Sequence, residues 1–217
     1  MKKIIYDIGS NNGDDIPYYL LKSDLVIAIE ANPKLCNLIE EKFKNEIKQK
    51  RLVVENCVVQ NENILNDVSF YIHKTNHVLS QFHKPLDIQN FEEIKLQSKN
   101  IIEIIKKYGD PFYIKIDVEG SDYLILNEIL KNKIVPPYIS CESHTSDIFA
   151  ALVASKKYKS FKLVDGASVS QKYGDAEITT YNGKQKYSFP HHSAGPFGND
   201  IAGSWMTSDN FFQLLGF

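Results

Sequence analysis

Short apolar runs alternate along this chain with longer stretches that are apolar on one face. The runs at positions 4–5, 25–29 and 112–116 are too short to form helices, so they predict buried β-strands. The stretch after position 33 has apolar residues at helical spacing: Leu35, Leu38, Ile39, Phe43 and Ile47. Directly before it, Asn32 and Pro33 are typical of a helix start. This alternation predicts an α/β fold.

The first apolar run ends in a loop that contains two glycines, Asp7-Ile8-Gly9-Ser10-Asn11-Asn12-Gly13. Glycine adopts positive φ without steric cost and lets a ligand approach the backbone closely. The second run ends at Glu30, about 20 residues beyond the first glycine, where a carboxylate accepts hydrogen bonds from two ribose hydroxyls. Strand, glycine loop, helix, strand and acidic residue predict a site for an adenosine-containing cofactor.

The details of the loop favour S-adenosylmethionine over a dinucleotide. A dinucleotide site has a third glycine and a helix start that holds a pyrophosphate. Here the third glycine is missing, and Asp14 and Asp15 would repel a pyrophosphate. A cationic sulfonium with an amino-acid end suits this acidic loop better. An NAD-dependent oxidoreductase and a non-catalytic cofactor-binding protein stay open as alternatives of other functional classes.

Composition and charge limit the cellular compartments and the binding partners that we expect for this protein. The net charge of −2 argues against a nucleic-acid partner, which would need a basic face. No apolar run is long enough to span a membrane, and no secretory signal is visible. Three cysteines without metal-like spacing are typical of a reducing cytoplasm, so we expect a cytoplasmic protein. Because Arg51 is the single arginine, an anionic substrate must be bound by lysine, histidine or backbone amides.

Two later strands also end in polar residues. The run at 112–116 is followed by Asp117, and the run that begins at Tyr138 is followed by Glu142 and His144. Open α/β sheets bind ligands at the carboxyl ends of their strands, so Asp117 is a candidate contact for cofactor or substrate. One hypothesis is that Asp117, Glu142 and His144 hold Mg²⁺ or Mn²⁺. A hydrogen-bonded polar cluster without metal is the favoured interpretation.

The remaining segments predict the organisation of one domain over residues 1–217. Residues 73–97 are polar and predict a loop insertion, after which Ser98 is predicted to cap a helix that ends before Gly109. The runs at 161–164 and 177–181 predict two further strands at a hairpin-like end of the sheet. Residues 187–217 combine aromatic residues, histidines and glycines, which predicts a substrate-side C-terminal segment.

Three stretches of the chain resemble the signature motifs of the FkbM-type methyltransferases. They are Asp7–Gly13, Ile29–Pro33 and Ile114–Gly120, in that order, and the likeness spans roughly residues 4–145. The resemblance implies a class I, Rossmann-like methyltransferase with a mostly parallel seven-stranded sheet and helices on both faces. It further implies S-adenosylmethionine as donor and hydroxyls of sugars, glycans or polyketide-type products as acceptors.

The resemblance also implies positions for the cofactor site. Gly9, Asn11 and Gly13 match the cofactor loop, Glu30 the ribose ligand and Asp117 a site residue, whereas Asn56 and Cys57 are assigned to adenine by position alone. The full set of candidate cofactor-binding residues is Asp7, Gly9, Ser10, Asn11, Gly13, Glu30, Ala31, Asn56, Cys57 and Asp117.

Methyl transfer needs a nucleophile that is held in line and, for a sugar hydroxyl, a group that removes its proton. The candidate bases are Asp117, His144, His191 and His192, and histidine suits neutral pH best. We expect a small-molecule or glycan-precursor substrate, such as an activated sugar. N-methylation of a small amine or phosphoramide is an alternative, and the sequence predicts no oligomeric state.

Overall fold

Strands and helices alternate along the computed structural model, which describes residues 2–61, 67–143 and 145–214. The strands are β1 (Ile4–Ile8), β2 (Leu25–Glu30), β3 (Leu52–Asn56), β4 (Val58–Gln60), β5 (Asp67–His73), β6 (Phe91–Asn100), β7 (Tyr113–Ile116), β8 (Tyr138–Cys141), β9 (Ala176–Thr180) and β10 (Gly183–Tyr187). The helices are α1 (Ile16–Leu20), α2 (Pro33–Lys42), α3 (Lys44–Lys48), α4 (Ile101–Tyr108), α5 (Asp122–Lys131), α6 (Asp147–Ala154), α7 (Val169–Lys172) and α8 (Ser208–Leu214). The chain divides into two compact units, Met1–Ile148 and Phe149–Phe217.

The N-terminal unit is built on a parallel sheet with the strand order β3-β2-β1-β7-β8. Every residue of β1 and β2 is buried, as expected for strands that are covered on both faces. These strands therefore read as continuous apolar runs in the sequence. Because all five strands are parallel, their carboxyl ends lie at one edge of the sheet, where the glycine loop also begins. The prediction of a parallel α/β sheet is confirmed.

Two helices show how local residues set the helix ends. Asn32 caps α2 by accepting a hydrogen bond from the Lys34 backbone, as predicted. Before α4, the predicted cap Ser98 is wrong, because Ser98 lies within β6 and pairs with Val58. Asn100 caps this helix instead, with its side-chain oxygen 2.6 Å from the Ile102 nitrogen.

A second sheet of the N-terminal unit has the order β4-β6-β5. Strands β5 and β6 are antiparallel, and residues 74–90 connect them. The segment expected to be a loop insertion, residues 73–97, therefore includes the first part of a ten-residue strand. The apolar side of this sheet is formed by Val58, Phe70 and Ile72, on which Phe82 of the connection also packs.

The C-terminal unit contains a two-stranded antiparallel sheet of β9 and β10. Its core includes Phe149, Phe161 and Phe211. Phe161, in a predicted strand, forms a single bridge with Met206. The expected seven-stranded sheet is thus not found in the described residues, which form a five-stranded central sheet. Most residues of β9 and β10 are exposed, so this hairpin lacks the apolar faces of an inner parallel strand.

Within the part of the chain that the structure describes, no helix is both long and apolar enough to cross a membrane. That residues 1–217 form a single domain stays a prediction.

Candidate functional site

The glycine loop follows β1 and lies against the end of β7. The backbone nitrogens of Gly9 and Ser10 both donate to the Ile29 carbonyl, at 2.9 and 3.1 Å. Gly9 has φ +82°, and a Cβ there would lie 1.8 Å from the Asp117 carbonyl oxygen. Glycine is therefore required at position 9 by the approach of the protein's own backbone, a reason that differs from the predicted approach of a ligand.

The rest of the loop is fixed by short-range contacts. The Ser10 hydroxyl donates to the Asp7 carbonyl at 2.8 Å, and the Gly13 nitrogen donates to the Ser10 carbonyl at 2.9 Å. Asn11 is held at φ +50°, a region that non-glycine residues seldom occupy. Its side-chain oxygen is buried and has no hydrogen-bond partner among the described residues. An acceptor left open in a constrained loop is what a ligand with a donor group would use.

Glu30 joins the glycine loop to the turn that follows β2. Its two carboxylate oxygens accept hydrogen bonds from the backbone nitrogens of Asn11 and Asn32, both at 2.8 Å. The residue is 9% exposed. Burial raises the pKa of Glu30 to about 7, although the two backbone donors oppose that shift. A neutral-range pKa in a buried carboxylate at a strand end is typical of a functional position.

The residues assigned to adenine by position surround the backbone at Glu30. The Asn56 side chain donates to the carbonyl oxygens of Glu30 and Ala31, at 2.9 Å each. Cys57 is buried, and its backbone nitrogen donates to the Glu30 carbonyl at 3.3 Å. In the structure these residues support the main chain that carries Glu30. A direct contact of Ala31, Asn56 or Cys57 with adenine stays a prediction.

Lys115 is a buried residue beside the glycine loop that the sequence analysis did not single out. It lies in β7 opposite Asp7 of β1, and its ammonium group is buried. The Lys115 Nζ donates to the Gly9 carbonyl at 2.6 Å and lies 3.2 Å from the Asp117 carboxylate and 3.4 Å from the Asp7 carboxylate. The sequence does contain a signal for it, since Lys115 stands between two isoleucines of a predicted buried strand. Lysine is seldom buried without a partner, so its position predicts a nearby acidic or carbonyl group.

Asp7 and Lys115 form a buried ion pair, and the two side chains differ in their hydrogen bonding. Neither Asp7 oxygen accepts a hydrogen bond from the described residues. Burial raises the pKa of Asp7 to about 6, and the charge of Lys115 opposes that shift. Burial alone would lower the pKa of Lys115, but the carboxylates of Asp7 and Asp117 raise it above its usual value. Lys115 thus remains charged beneath the glycine loop.

Asp117 presents its carboxylate at the end of β7, with 38% of its side chain exposed. The turn after it is fixed by the Val118 nitrogen, which donates to the Asp122 carboxylate at 2.9 Å, and by the Ser121 nitrogen, which donates to the Val118 carbonyl at 3.0 Å. Asp117 is therefore an accessible acid beside the glycine loop. Its predicted role at the site is compatible with this placement and stays a prediction.

The proposed metal ligands are only partly within the described structure. Glu142 is exposed after β8, and its backbone nitrogen donates to the Ile116 carbonyl at 2.9 Å. His144 lies outside the described residues. Across the ranges that are described, no group of three or more histidine, cysteine, aspartate or glutamate side chains is arranged to hold a metal ion. The metal hypothesis for Asp117, Glu142 and His144 gains no support.

The two remaining histidine candidates belong to the C-terminal unit. His191 and His192 are exposed after β10, and their ring centroids lie 4.8 Å apart. Two aromatic residues of the same segment, Phe189 and Phe197, are buried in the C-terminal unit. These two phenylalanines therefore serve packing. A catalytic role of His191 or His192 stays a prediction.

Comparison with known proteins identifies the family of this chain. The model of the methyltransferase FkbM domain matches residues 7–162. The chain belongs to this family. The matched range contains the glycine loop, Glu30, Lys115 and Asp117. The family resemblance inferred from the three sequence motifs is confirmed.

The crystal structure of methyltransferase FkbM from Methylobacillus flagellatus KT is similar to this chain, at 19% identity and a TM-score of 0.45, over 70% of this chain and 36% of that chain. The present chain thus spans little more than a third of the length of that protein. Among curated protein sequences, none is significantly similar to this chain.

Proposed function

We propose that this chain is an S-adenosylmethionine-dependent methyltransferase whose cofactor lies along the carboxyl edge of the sheet, between the glycine loop and Glu30. Membership of the FkbM methyltransferase family supports the reaction. The observation that supports the location is the buried Glu30 carboxylate, which is hydrogen-bonded to the loop at Asn11. A carboxylate at the end of the second strand is the group that binds ribose hydroxyls in nucleotide-binding α/β folds.

The polar groups at this edge suit the donor groups of S-adenosylmethionine. Each Glu30 oxygen accepts one backbone hydrogen bond and keeps further acceptor capacity for a hydroxyl. The open side-chain oxygen of Asn11 and the accessible carboxylate of Asp117 are additional acceptors for hydroxyl or ammonium groups. A pyrophosphate would need donors instead. The Asp14 carboxylate is paired with Lys42 at 3.3 Å, which weakens its repulsion of a pyrophosphate, so the missing third glycine and these acceptors are what disfavour a dinucleotide.

The protein's part in the reaction is positioning and proton removal. When bound, the cofactor supplies a methyl group that is already activated, so no covalent enzyme intermediate is required. Asp117 is the proposed residue at the end of β7 that orients the cofactor's amino-acid end or the acceptor. Effective positioning alone lowers the barrier substantially, by about 7–11 kcal/mol in well-oriented systems.

We propose that the acceptor is a carbohydrate hydroxyl, on an activated sugar or a surface-glycan precursor. We also propose that the protein is located in the cytoplasm. The family resemblance supports this substrate class, and the scarcity of arginine leaves lysines to bind any phosphate. Incubation of a sugar-nucleotide panel with S-adenosylmethionine, followed by mass spectrometry, should show the mass gain of one methyl group. A gain on small amines but on no sugar would favour N-methylation and contradict this acceptor.

The cofactor assignment is tested by calorimetry with S-adenosylhomocysteine and NADH. The wild-type chain should bind S-adenosylhomocysteine and not NADH. Glu30→Ala should weaken binding by about 1–3 kcal/mol, because a buried charged acceptor is lost. Glu40→Ala, at an exposed position of α2, is the matched control and should bind normally. A folded Glu30→Ala variant with wild-type affinity would show that Glu30 does not bind the ribose.

A further inference from the structure

Residues 81–83, within the connection between β5 and β6, are held in a fixed position although they belong to no regular strand. Gln81 and Tyr71 exchange two backbone hydrogen bonds, both at 2.9 Å. The Gln81 side chain donates to the His83 carbonyl at 2.8 Å. The neighbouring Phe82 packs on the core cluster of the small sheet, to which Ala31 also contributes. The backbone at His83 is therefore anchored by the two residues that precede it.

His83 contacts the turn that follows β7. Its Nε2 lies 3.4 Å from the hydroxyl oxygen of the buried Ser121, which precedes α5. A Cβ at Gly120 would lie 3.6 Å from the His83 ring, so the ring also lies against this turn. The same turn begins at Asp117, whose carbonyl closely approaches Gly9. Contacts thus lead from the glycine loop through Asp117 to His83.

Residues 82–83 lie at the carboxyl edge of the central sheet. Phe82 belongs to the cluster near the end of β2, and His83 contacts the turn after β7. In the strand order, β1 lies between β2 and β7, and the glycine loop begins at its carboxyl end. Residues 82 and 83 therefore span the edge of the sheet at which we place the cofactor, and the imidazole of His83 is exposed there.

Two other histidines of the N-terminal unit have different surroundings. His73 accepts a hydrogen bond from the Asn76 backbone at 3.0 Å through Nδ1, and its ring packs on Phe91. His77 is exposed in a 3-10 turn of the same connection. The contact of His83 with the turn after β7 thus sets it apart as a candidate for chemistry.

We propose that His83 is a catalytic residue that accepts the proton of the acceptor hydroxyl, an inference that rests on the proposed function. The acceptor oxygen forms a bond to the methyl carbon, the carbon–sulfur bond breaks with its electron pair on sulfur, and the hydroxyl proton moves to the imidazole. In the tautomer that carries its proton on Nε2, this nitrogen donates to the Ser121 hydroxyl and Nδ1 has the lone pair that accepts the substrate's proton. Ser121 acts as a positioning residue that orients the ring.

Charged residues flank both His83 and the turn that it contacts. The turn and the start of α5 carry Asp117, Glu119 and Asp122, and Lys84 follows His83 on its own segment. Because a general base accepts a proton only in its neutral form, the proposed role of His83 predicts that turnover falls toward acid pH.

The test compares His83→Gln with His77→Gln, a matched change at an exposed histidine of the same connection. Affinity for S-adenosylhomocysteine is measured by calorimetry, and methyl transfer to the sugar-nucleotide panel is measured by mass spectrometry between about pH 5.5 and 9. His83→Gln should keep its cofactor affinity within about twofold, lose ~100-fold in turnover and lose the acid limb of the pH profile. His77→Gln should match the wild type in all three measurements.

Two further measurements separate a catalytic role from a structural one. Added imidazole should partly restore turnover to His83→Ala, which it would not do for a residue that only supports the fold. In the wild type, nuclear magnetic resonance should show that S-adenosylhomocysteine shifts the imidazole signal of His83 more than that of His77.

The outcomes distinguish this inference from the proposed function. His83→Gln turnover within about threefold of wild type with an unchanged pH profile would overturn the inference, since base removal typically costs at least 100-fold. A His83→Gln variant that loses cofactor affinity as well would also overturn it. A wild-type chain that does not bind S-adenosylhomocysteine would instead contradict the proposed cofactor site.

Discussion

Glu30 and Glu55 lie on neighbouring parallel strands, near the same edge of the sheet, and are buried to a similar degree, with exposures of 9% and 6%. Glu55 accepts hydrogen bonds from Lys99 at 2.5 Å, from Lys107 at 2.7 Å and from the Tyr108 hydroxyl. Burial alone would raise the pKa of Glu55, but these donors lower it to about 2. Glu30 has two backbone donors and a pKa raised by burial to about 7.

The difference shows that burial alone does not define the state of a carboxylate. The Glu55 cluster is satisfied by side chains of α4 and β6, so it contributes to stability. The cluster at the glycine loop keeps the buried side-chain oxygen of Asn11 without a donor among the described residues. Buried acceptors of that kind destabilise a fold unless a ligand completes them. The contrast supports the assignment of one cluster to structure and of the other to binding.

Lys115→Met is expected to have the largest effect on stability. It leaves Asp7 buried without its cation and removes a donor to Gly9, so unfolding free energy at pH 8 should fall by about 3 kcal/mol or more. Lys99→Met is the control, because Glu55 keeps Lys107 and Tyr108 as partners, and it should cost no more than about 1 kcal/mol. Urea denaturation of both variants provides the comparison. Equal losses would contradict the distinction between the two clusters.

Glu55→Gln should destabilise the chain by about 1–3 kcal/mol at neutral pH, because charge-assisted hydrogen bonds are weakened. The folded pKa of Glu55, about 2, lies below its ordinary value of 4.5, so its contribution is present above pH 4.5 and is lost as the pH falls toward 2. Denaturation at several pH values should therefore show the wild type and the variant converging in acid. A difference that stays constant down to the lowest pH would refute a role for the ionised form.

The smallest expected effect is the pH dependence of cofactor affinity, and it is specific to Glu30. Ribose hydroxyls donate to the ionised form of Glu30, whose pKa is about 7 without cofactor. Affinity for S-adenosylhomocysteine should therefore rise by about tenfold or less from pH 6 to 8 and then level off. In Glu30→Gln this rise should be absent, because the amide does not titrate. Calorimetry at three pH values checks both, and an equal pH dependence in the two proteins would exclude Glu30 as its source.

Much of the fold and part of the site could be predicted from residues that are close in the chain. The apolar runs indicated β1, β2 and β7, and Asn32 with Pro33 indicated the start of α2. The glycine loop and Glu30 were found because their spacing is a local property of a strand–loop–helix–strand unit. Three such motifs in order were enough to indicate the family.

Contacts between distant segments depended on the tertiary structure. Lys115 meets the Gly9 carbonyl across 106 positions of sequence, and His83 meets Ser121 across 38. The strand register that places Lys115 opposite Asp7 is not encoded in either strand alone. The seven-stranded sheet is not confirmed in the described residues, where β9 and β10 pair with each other. Local patterns thus determined which elements form, whereas their packing decided which charged groups share a buried space and have their pKa values shifted.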